Sequence, residues 1–260
     1  MKYAAVSRTQ KLLSNKGFVK VPEVTYAFWA IKILSTGMGE DASDFLVRQF
    51  GKAPAVLTGL LVLSIGLYMQ FRIRKYNRWV YWFAVAMVSL FGTMAADVLH
   101  LGMGIPYIVS TIFFSIVLVA VFWVWYRVEG TLSIKSISTT RREIFYWLAV
   151  LTTFALGTAA GDMTARTLNW GYLLSGIIFG FIFFLPGVGY LLFKYDAVLA
   201  FWFSYIITRP FGASFADWIG ADKYMGGLGY GFGRTSLVLA GLIAIMVSLQ
   251  PNNAKTGDLT

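Results

Sequence analysis

A chain of 260 residues that is 58% hydrophobic and only 13% charged, with a mean hydropathy of +0.67, is too apolar for an ordinary soluble domain. Its length suits one compact bundle of membrane spans of about 20 apolar residues each. The lack of cysteine excludes disulfides, thiolate metal sites and cysteine nucleophiles, and the net charge of +10 has to be read from where the charges fall.

Residues 1–22 carry Lys2, Arg8, Lys11, Lys16 and Lys20 with no acid. They lack the apolar stretch of about 7–15 residues that a signal peptide needs. A retained, basic cytoplasmic tail is expected, either as a helix on the membrane surface or disordered. Apolar runs then predict eight spans, near 23–46, 53–71, 78–100, 105–126, 143–165, 170–193, 197–219 and 227–249. Taken in pairs they make four repeats, 23–75, 76–140, 141–195 and 196–250, followed by a short tail, 251–260. Two spans return the chain to its starting side, so the repeats are parallel rather than inverted. The expected fold is an all-α integral membrane protein of eight transmembrane helices in four parallel two-helix repeats. Its longest connection, 127–142, divides the two halves.

Fifteen of the 22 Lys and Arg lie in the tails and in the connections near 71–78, 127–142 and 194. The opposite connections hold only Arg48, Lys52, Arg166, Lys223 and Arg234. This bias places both termini in the cytoplasm and attracts anionic lipid headgroups, which explains the net charge without nucleic acid.

The repeats carry one pattern without gaps: Trp29–Gly39–Asp44, Trp82–Gly92–Asp97, Trp147–Gly157–Asp162 and Trp202–Gly212–Asp217. On a helix, fifteen residues put Trp and Asp roughly 22 Å apart along the axis and about 60° apart around it. Each odd span thus presents one face with a Trp near its cytoplasmic end and an Asp in the outer third of the membrane. The residues between Gly and Asp are mostly small, as in a helix-packing seam. A seam explains the glycine but not the carboxylate, and ionisable groups inside a span are functional suspects.

The Asp residues admit two readings. They could converge as oxygen ligands for a cation, or as a proton relay. Alternatively each could bond a neighbouring backbone or cap the next short segment. Arg48 and Arg166 stand one turn after Asp44 and Asp162 and are expected to pair with them. Asp97 and Asp217 lack such a partner, which makes Asp97 the best candidate to bind and release a proton. His100, the only histidine, follows Asp97 by three residues, so the two could hold a divalent metal or relay a proton. Glu40 makes the first repeat the most acidic, and Thr93 and Thr158 occupy its equivalent positions. Lys32 and Arg209 lie eight residues before Glu40 and Asp217, and ion pairs across spans are expected for them. Gly227–Gly233 contains Gly-Tyr-Gly but lacks the Thr-Val of a potassium filter, so a flexible outer connection is expected there.

The opening Val21-Pro22-Glu23-Val24-Thr25, then Phe28-Trp29, Lys32, Ser35-Thr36-Gly37-Met38-Gly39-Glu40 and Thr208-Arg209-Pro210-Phe211-Gly212-Ala213 resemble an uncharacterised family of bacterial membrane-anchored proteins. The resemblance spans about residues 20–250. It implies four tandem repeats, each with two transmembrane segments and a characteristic tryptophan, in a bacterial inner membrane, and it implies no activity.

The residues themselves point to a secondary transporter or exporter of a small cation, possibly a divalent metal as substrate and coupled to protons, rather than to an enzyme. Its candidate cation and proton sites are Glu40, Asp44, Asp97, His100, Asp162 and Asp217, with Lys32, Thr93, Thr158 and Arg209 as accessory groups. No cofactor is expected. The expected partners are the bilayer, the ion, and possible further copies or a larger membrane complex. The alternative is a non-transporting scaffold or accessory subunit whose carboxylates only fix span packing.

Overall fold

The computed structural model describes residues 19–251. The described chain is helical, without strands, and has eight long helices: α1 (Tyr26–Phe50), α2 (Lys52–Arg72), α3 (Arg78–Asp97), α4 (Tyr107–Glu129), α5 (Thr140–Asp162), α6 (Gly171–Phe193), α7 (Ala197–Gly220) and α8 (Phe232–Leu249). Six of them, all but α1 and α7, are long and apolar enough to cross a membrane. The polar content of α1 (Lys32, Glu40, Asp41, Asp44 and Arg48) and of α7 (Arg209 and Asp217) falls mainly on faces turned into the protein.

The four odd-numbered helices begin alike. Thr25, Asn77, Thr139 and Asp196 each cap an N-terminus by accepting from a backbone N–H one turn into the helix, whereas α2, α4, α6 and α8 have no side-chain cap. The capped ends lie together at what we call the basic end. The Asp residues lie towards the opposite, carboxylate end.

The helices form a closed ring. α1 packs on α3, α3 on α5, α5 on α7, and α7 returns to α1. The glycine seam produces these contacts in cyclic order. A Cβ on Gly39 would collide with Ser89, one on Gly92 with Phe154, one on Gly157 with Arg209 and one on Gly212 with Thr36. Each glycine therefore receives the residue three positions before the next glycine in the ring, and the fourth seam closes onto the first helix. The even-numbered helices form an outer layer. Each packs more extensively on the inner helix of the following unit than on its own: α2 on α3, α4 on α5, α6 on α7 and α8 on α1. Their outward faces carry exposed apolar side chains such as Leu61, Ile116, Phe181 and Leu237.

Sequence-based boundaries hold to within a few residues, with two instructive differences. α8 begins at Phe232, not near 227, because the preceding glycine-rich loop is bonded to the end of α7. There Leu228, Tyr230 and Gly231 donate backbone N–H groups to the carbonyls of Trp218, Ile219 and Gly220. Gly229 and Gly231 take positive φ angles of 81° and 89°, which glycine alone adopts readily. That connection is pinned, not the flexible loop expected. The second difference is that α3 and α5 stop as regular α-helix at their Asp, and the rest of each expected span is a π-helical turn, Val98–Gly102 and Met163–Thr167.

The end of the N-terminal segment is also docked rather than free. Lys20 is buried, with Nζ 2.7 Å from Glu143 Oε2, and Gln70 donates to Glu143 Oε1 at 3.0 Å. The Lys20 backbone N–H donates to Ile137 O at 3.2 Å. The expectation of a surface helix or a disordered tail for residues 1–18 lies outside the described residues. At the chain's other end, Gln250 accepts from Trp82 Nε1 at 2.9 Å, so both ends of the described chain are fastened to the basic end.

Candidate functional site

The inner faces of α1, α3, α5 and α7 stack four chemically distinct layers along the ring axis. The first, at the basic end, is aromatic. Trp82, Trp147 and Trp202 are buried here instead of standing in an outward-facing belt, and Trp29 is half-buried. Trp202 Nε1 donates to Leu132 O at 2.9 Å, which fixes the 130–139 connection across this end. At the centre, the hydroxyls of Tyr81 and Tyr146 lie 2.5 Å apart, and Tyr205 packs beside them, within interaction distance of Tyr146. All three rings are fully buried.

Lys32 alone makes the second layer. Its side chain is 1% exposed and its Nζ has no hydrogen-bond partner. The ammonium instead lies over the rings of Phe154, at 4.0 Å, and Tyr205, at 4.3 Å. The expected ion pair between Lys32 and an acid does not form; the cation is held by aromatic faces.

Arg209, wholly buried, forms the third layer. Its Nη2 is ion-paired with Glu40 and donates to Thr93 Oγ1 at 2.5 Å and Thr158 Oγ1 at 2.7 Å. Thr93 Oγ1 also lies 3.2 Å from Glu40 Oε2. Glu40, Thr93 and Thr158 each follow the seam glycine of their helix, so the same ring position on α1, α3 and α5 supplies three oxygens to one guanidinium on α7. This is the ion pair across spans expected for Arg209, and its acid is Glu40 rather than the Asp217 of its own helix. The seams bring α1 and α7 so close that Glu40 is the acid in reach.

The fourth layer holds the aspartates, near enough for their charges to act on one another. Asp97 feels the charge of Glu40, Asp162 and Asp44, while Asp217 feels Glu40, Asp44, Asp41 and Asp162. Asp162 and Asp217 are buried, Asp44 and Asp97 half-buried. Asp162 is paired with Arg166, Nε to Oδ1 at 3.2 Å, as its spacing predicts. Arg166 also donates to Tyr107 Oη at 3.0 Å and to Tyr172 Oη at 3.4 Å, which ties together α4, α5 and α6. Arg48 departs from expectation. It points away from Asp44 to Asp222, at 3.6 Å, and covers the Phe232 ring at 4.4 Å. Among the described residues, Asp44, Asp97 and Asp217 make no ion pair within 4 Å.

The capping alternative fails for two of the four. Asp97 and Asp162 sit directly before the π-helical turns, yet neither side chain makes a cap bond. Such a turn widens the helix by one residue and commonly marks a functional position. His100, in the first of these turns, is held by its own unit rather than by Asp97. Its Nδ1 lies 3.2 Å from Ile105 O, Ser110 Oγ is 3.3 Å from the ring nitrogens, and the ring packs on Tyr107 at 4.1 Å. Among the described residues no three His, Asp or Glu side chains stand close enough to hold one metal ion.

Asp41 was not singled out by sequence. It is fully buried, its carboxylate lies against Gly220 and near Thr235, and neither oxygen has a hydrogen bond of normal geometry. The sequence signal was present, since Asp41 belongs to the acidic Glu40–Asp44 turn, but one turn places it on the α7–α8 side and off the axis.

Three stretches, 80–131, 145–195 and 200–252, match the model of a family described as Repeat of Unknown Function (DUF347), and the chain belongs to that family. The matched stretches coincide with the second, third and fourth Trp–Gly–Asp units. No curated protein matches the chain. No solved structure matches it either.

Proposed function

We propose that this member of the family is a secondary transporter of a small cation, coupled to protons, in which the axial aspartates bind the ion and the Arg209–Glu40 layer is the gate. The grouping of Asp44, Asp97, Asp162 and Asp217 at one end of the four inner helices, near enough for their charges to interact, supports this reading. Carboxylates kept only for packing would be matched to donors, whereas three of these four have no ion-pair partner among the described residues. Negative charge that is buried, as at Asp217, or half-buried, as at Asp44 and Asp97, attracts a cation or a proton when it lacks such a partner. Glu40 and His100 are accessory groups, and Thr93 and Thr158 supply neutral oxygens beside the gate.

In this reading all eight helices span the membrane. α1 and α7 are too polar to face lipid over their length, but their charged faces turn mainly to the axis while α2, α6 and α8 pack against their other sides. The residues 23–75 form a fourth, divergent copy of the repeat: their glycine seam is continuous with the other three and closes the ring. The membrane is a bacterial inner membrane, with the basic end and both termini in the cytoplasm, as the lysine and arginine bias supports. The protein is not an enzyme and carries no resident cofactor; its partners are lipid, the ion and protons.

One observation favours the scaffold alternative: Arg209 is wholly buried and held by three oxygens from the other inner helices. A transporter must open that layer, and a scaffold need not. Purified protein in liposomes, tested with monovalent and divalent cations under imposed pH gradients, separates the two. Cation entry that drives a stoichiometric opposite proton movement supports transport, while an inert vesicle with every cation supports the scaffold.

A further inference from the structure

Arg166 is the cation that the transport reading leaves without a task. It sits in the π-helical turn that follows α5, where a helix C-terminus by itself favours positive charge. That preference accounts for a cation but not for how this one is held. Its Nε lies 3.2 Å from Asp162 Oδ1. Its Nη1 donates to the hydroxyl of Tyr107, the first residue of α4, at 3.0 Å, and its Nη2 to that of Tyr172, near the start of α6, at 3.4 Å. One guanidinium thus spans from the aspartate layer to the starts of two outer helices.

Two observations separate Arg166 from the pair that Arg209 makes with Glu40. Arg209 is wholly buried, whereas the Arg166 side chain is 39% exposed and that of its partner Asp162 only 6%. Arg166 therefore has water on one side and buried carboxylate on the other. Its charge also acts beyond its partner, on Asp44, Asp97 and Asp217 as well as on Asp162. The other units offer no equivalent. Arg48 is turned to Asp222 and the Phe232 ring, and the corresponding residues of the second and fourth units are Leu101 and Ala221.

A fixed cation beside a group of carboxylates has two effects on a mobile one. It limits the repulsion within the empty layer, and it competes for the same oxygens. We propose that Arg166 is a tethered counter-ion of the aspartate layer, which holds Asp162 while the layer is empty, swings towards water when a cation takes its place, and returns to expel that cation. This rests on the transport reading and assigns the residue that sets how tightly the ion is held and how fast it leaves. No bond forms or breaks, and the guanidinium keeps its proton throughout. The two tyrosine hydroxyls hold the arginine in its inner position, so losing either one favours the outer position and the incoming ion. A site open for only a fraction of the time binds more weakly by that fraction. Removing the competitor must therefore tighten apparent binding, the opposite of what loss of a merely structural arginine does.

The test follows cation flux in liposomes against concentration, with sodium, potassium, magnesium and manganese(II) ions as probes, and compares each variant with wild type for detergent melting temperature. Arg166→Gln should lower the half-saturating concentration of the transported ion by about threefold or more, and should lower maximal flux as well, because the ion then leaves slowly. Arg166→Lys, which keeps the charge without the fork, should fall between the two. Tyr107→Phe keeps the ring that packs on His100 and removes one bond to Arg166, so it should shift half-saturation the same way by a smaller factor. A half-saturating concentration unchanged or raised in Arg166→Gln makes Arg166 a structural tie among α4, α5 and α6 and overturns the proposal, while flux in wild type leaves the transport reading standing. Wild type that moves none of the four ions overturns both. Should Arg166→Gln fail to fold, Tyr107→Phe decides, and unchanged half-saturation there overturns the proposal.

Discussion

Arg209 shows how one side chain decides between packing and function. Its guanidinium contacts the equivalent positions of three other inner helices, so its loss leaves Glu40 as a buried acid without its counter-charge. Removing one partner of a buried pair costs about 3–5 kcal/mol, whereas replacing both with apolar groups of similar size is often neutral or stabilising. Arg209→Met should therefore lower the detergent melting temperature sharply, and Arg209→Met combined with Glu40→Met should recover most of that loss. If the double variant is as unstable as the single one, the layer is held by more than this pair. Arg209 and Glu40 were both visible in sequence as candidates, but their pairing was not. An ion pair across spans was expected for Arg209, but spacing did not name its acid, and the approach of α1 to α7 makes it Glu40. The same applies to Arg48, whose one-turn spacing pointed to Asp44 while the docked α7–α8 loop offers Asp222 and the Phe232 face.

At the scale of the element, the glycine seam is the device that repeats most faithfully. A Cβ at Gly92 would lie 2.6 Å from Phe154 Cβ, and one at Gly157 would meet Arg209 and Pro210. Overpacking of this kind costs about 1–3 kcal/mol. Gly92→Leu should destabilise the bundle, and the control Gly241→Leu, at a glycine with nothing within 4 Å, should melt as wild type does. Equal melting of the two variants would remove the seam from the account. Helix number and approximate limits were legible from apolar runs because spans must be long and uninterrupted. The π-helical turns after Asp97 and Asp162 were not legible, since no residue type marks them, and blocks one and four, with the same Asp, continue without them. Nor did sequence reveal that each outer helix packs on the following unit, because period and composition are identical for either neighbour.

For the whole molecule, cyclic closure turns a linear array of units into a ring with an axis, and the axis orders the chemistry: tyrosine and tryptophan, then Lys32, then Arg209 with Glu40, then the aspartates. Four carboxylates on separate helices would repel one another and loosen the bundle unless a cation, a proton or a counter-charge offsets them. Arg166 offsets one directly, while Asp97 and Asp217 make no ion pair among the described residues and each lies in the field of Glu40, Asp44 and Asp162. Any account in which these residues move an ion must therefore lose that movement when Asp97 loses its charge, while the seam and the gate keep the fold. The most direct measurement is proton-coupled cation flux in liposomes for wild type, Asp97→Asn and Asp44→Asn at matched protein content and melting temperature. The account predicts coupled flux in wild type and a loss of at least tenfold in Asp97→Asn, with Asp97→Glu restoring part of it. Coupled flux in Asp97→Asn equal to that of wild type would contradict it.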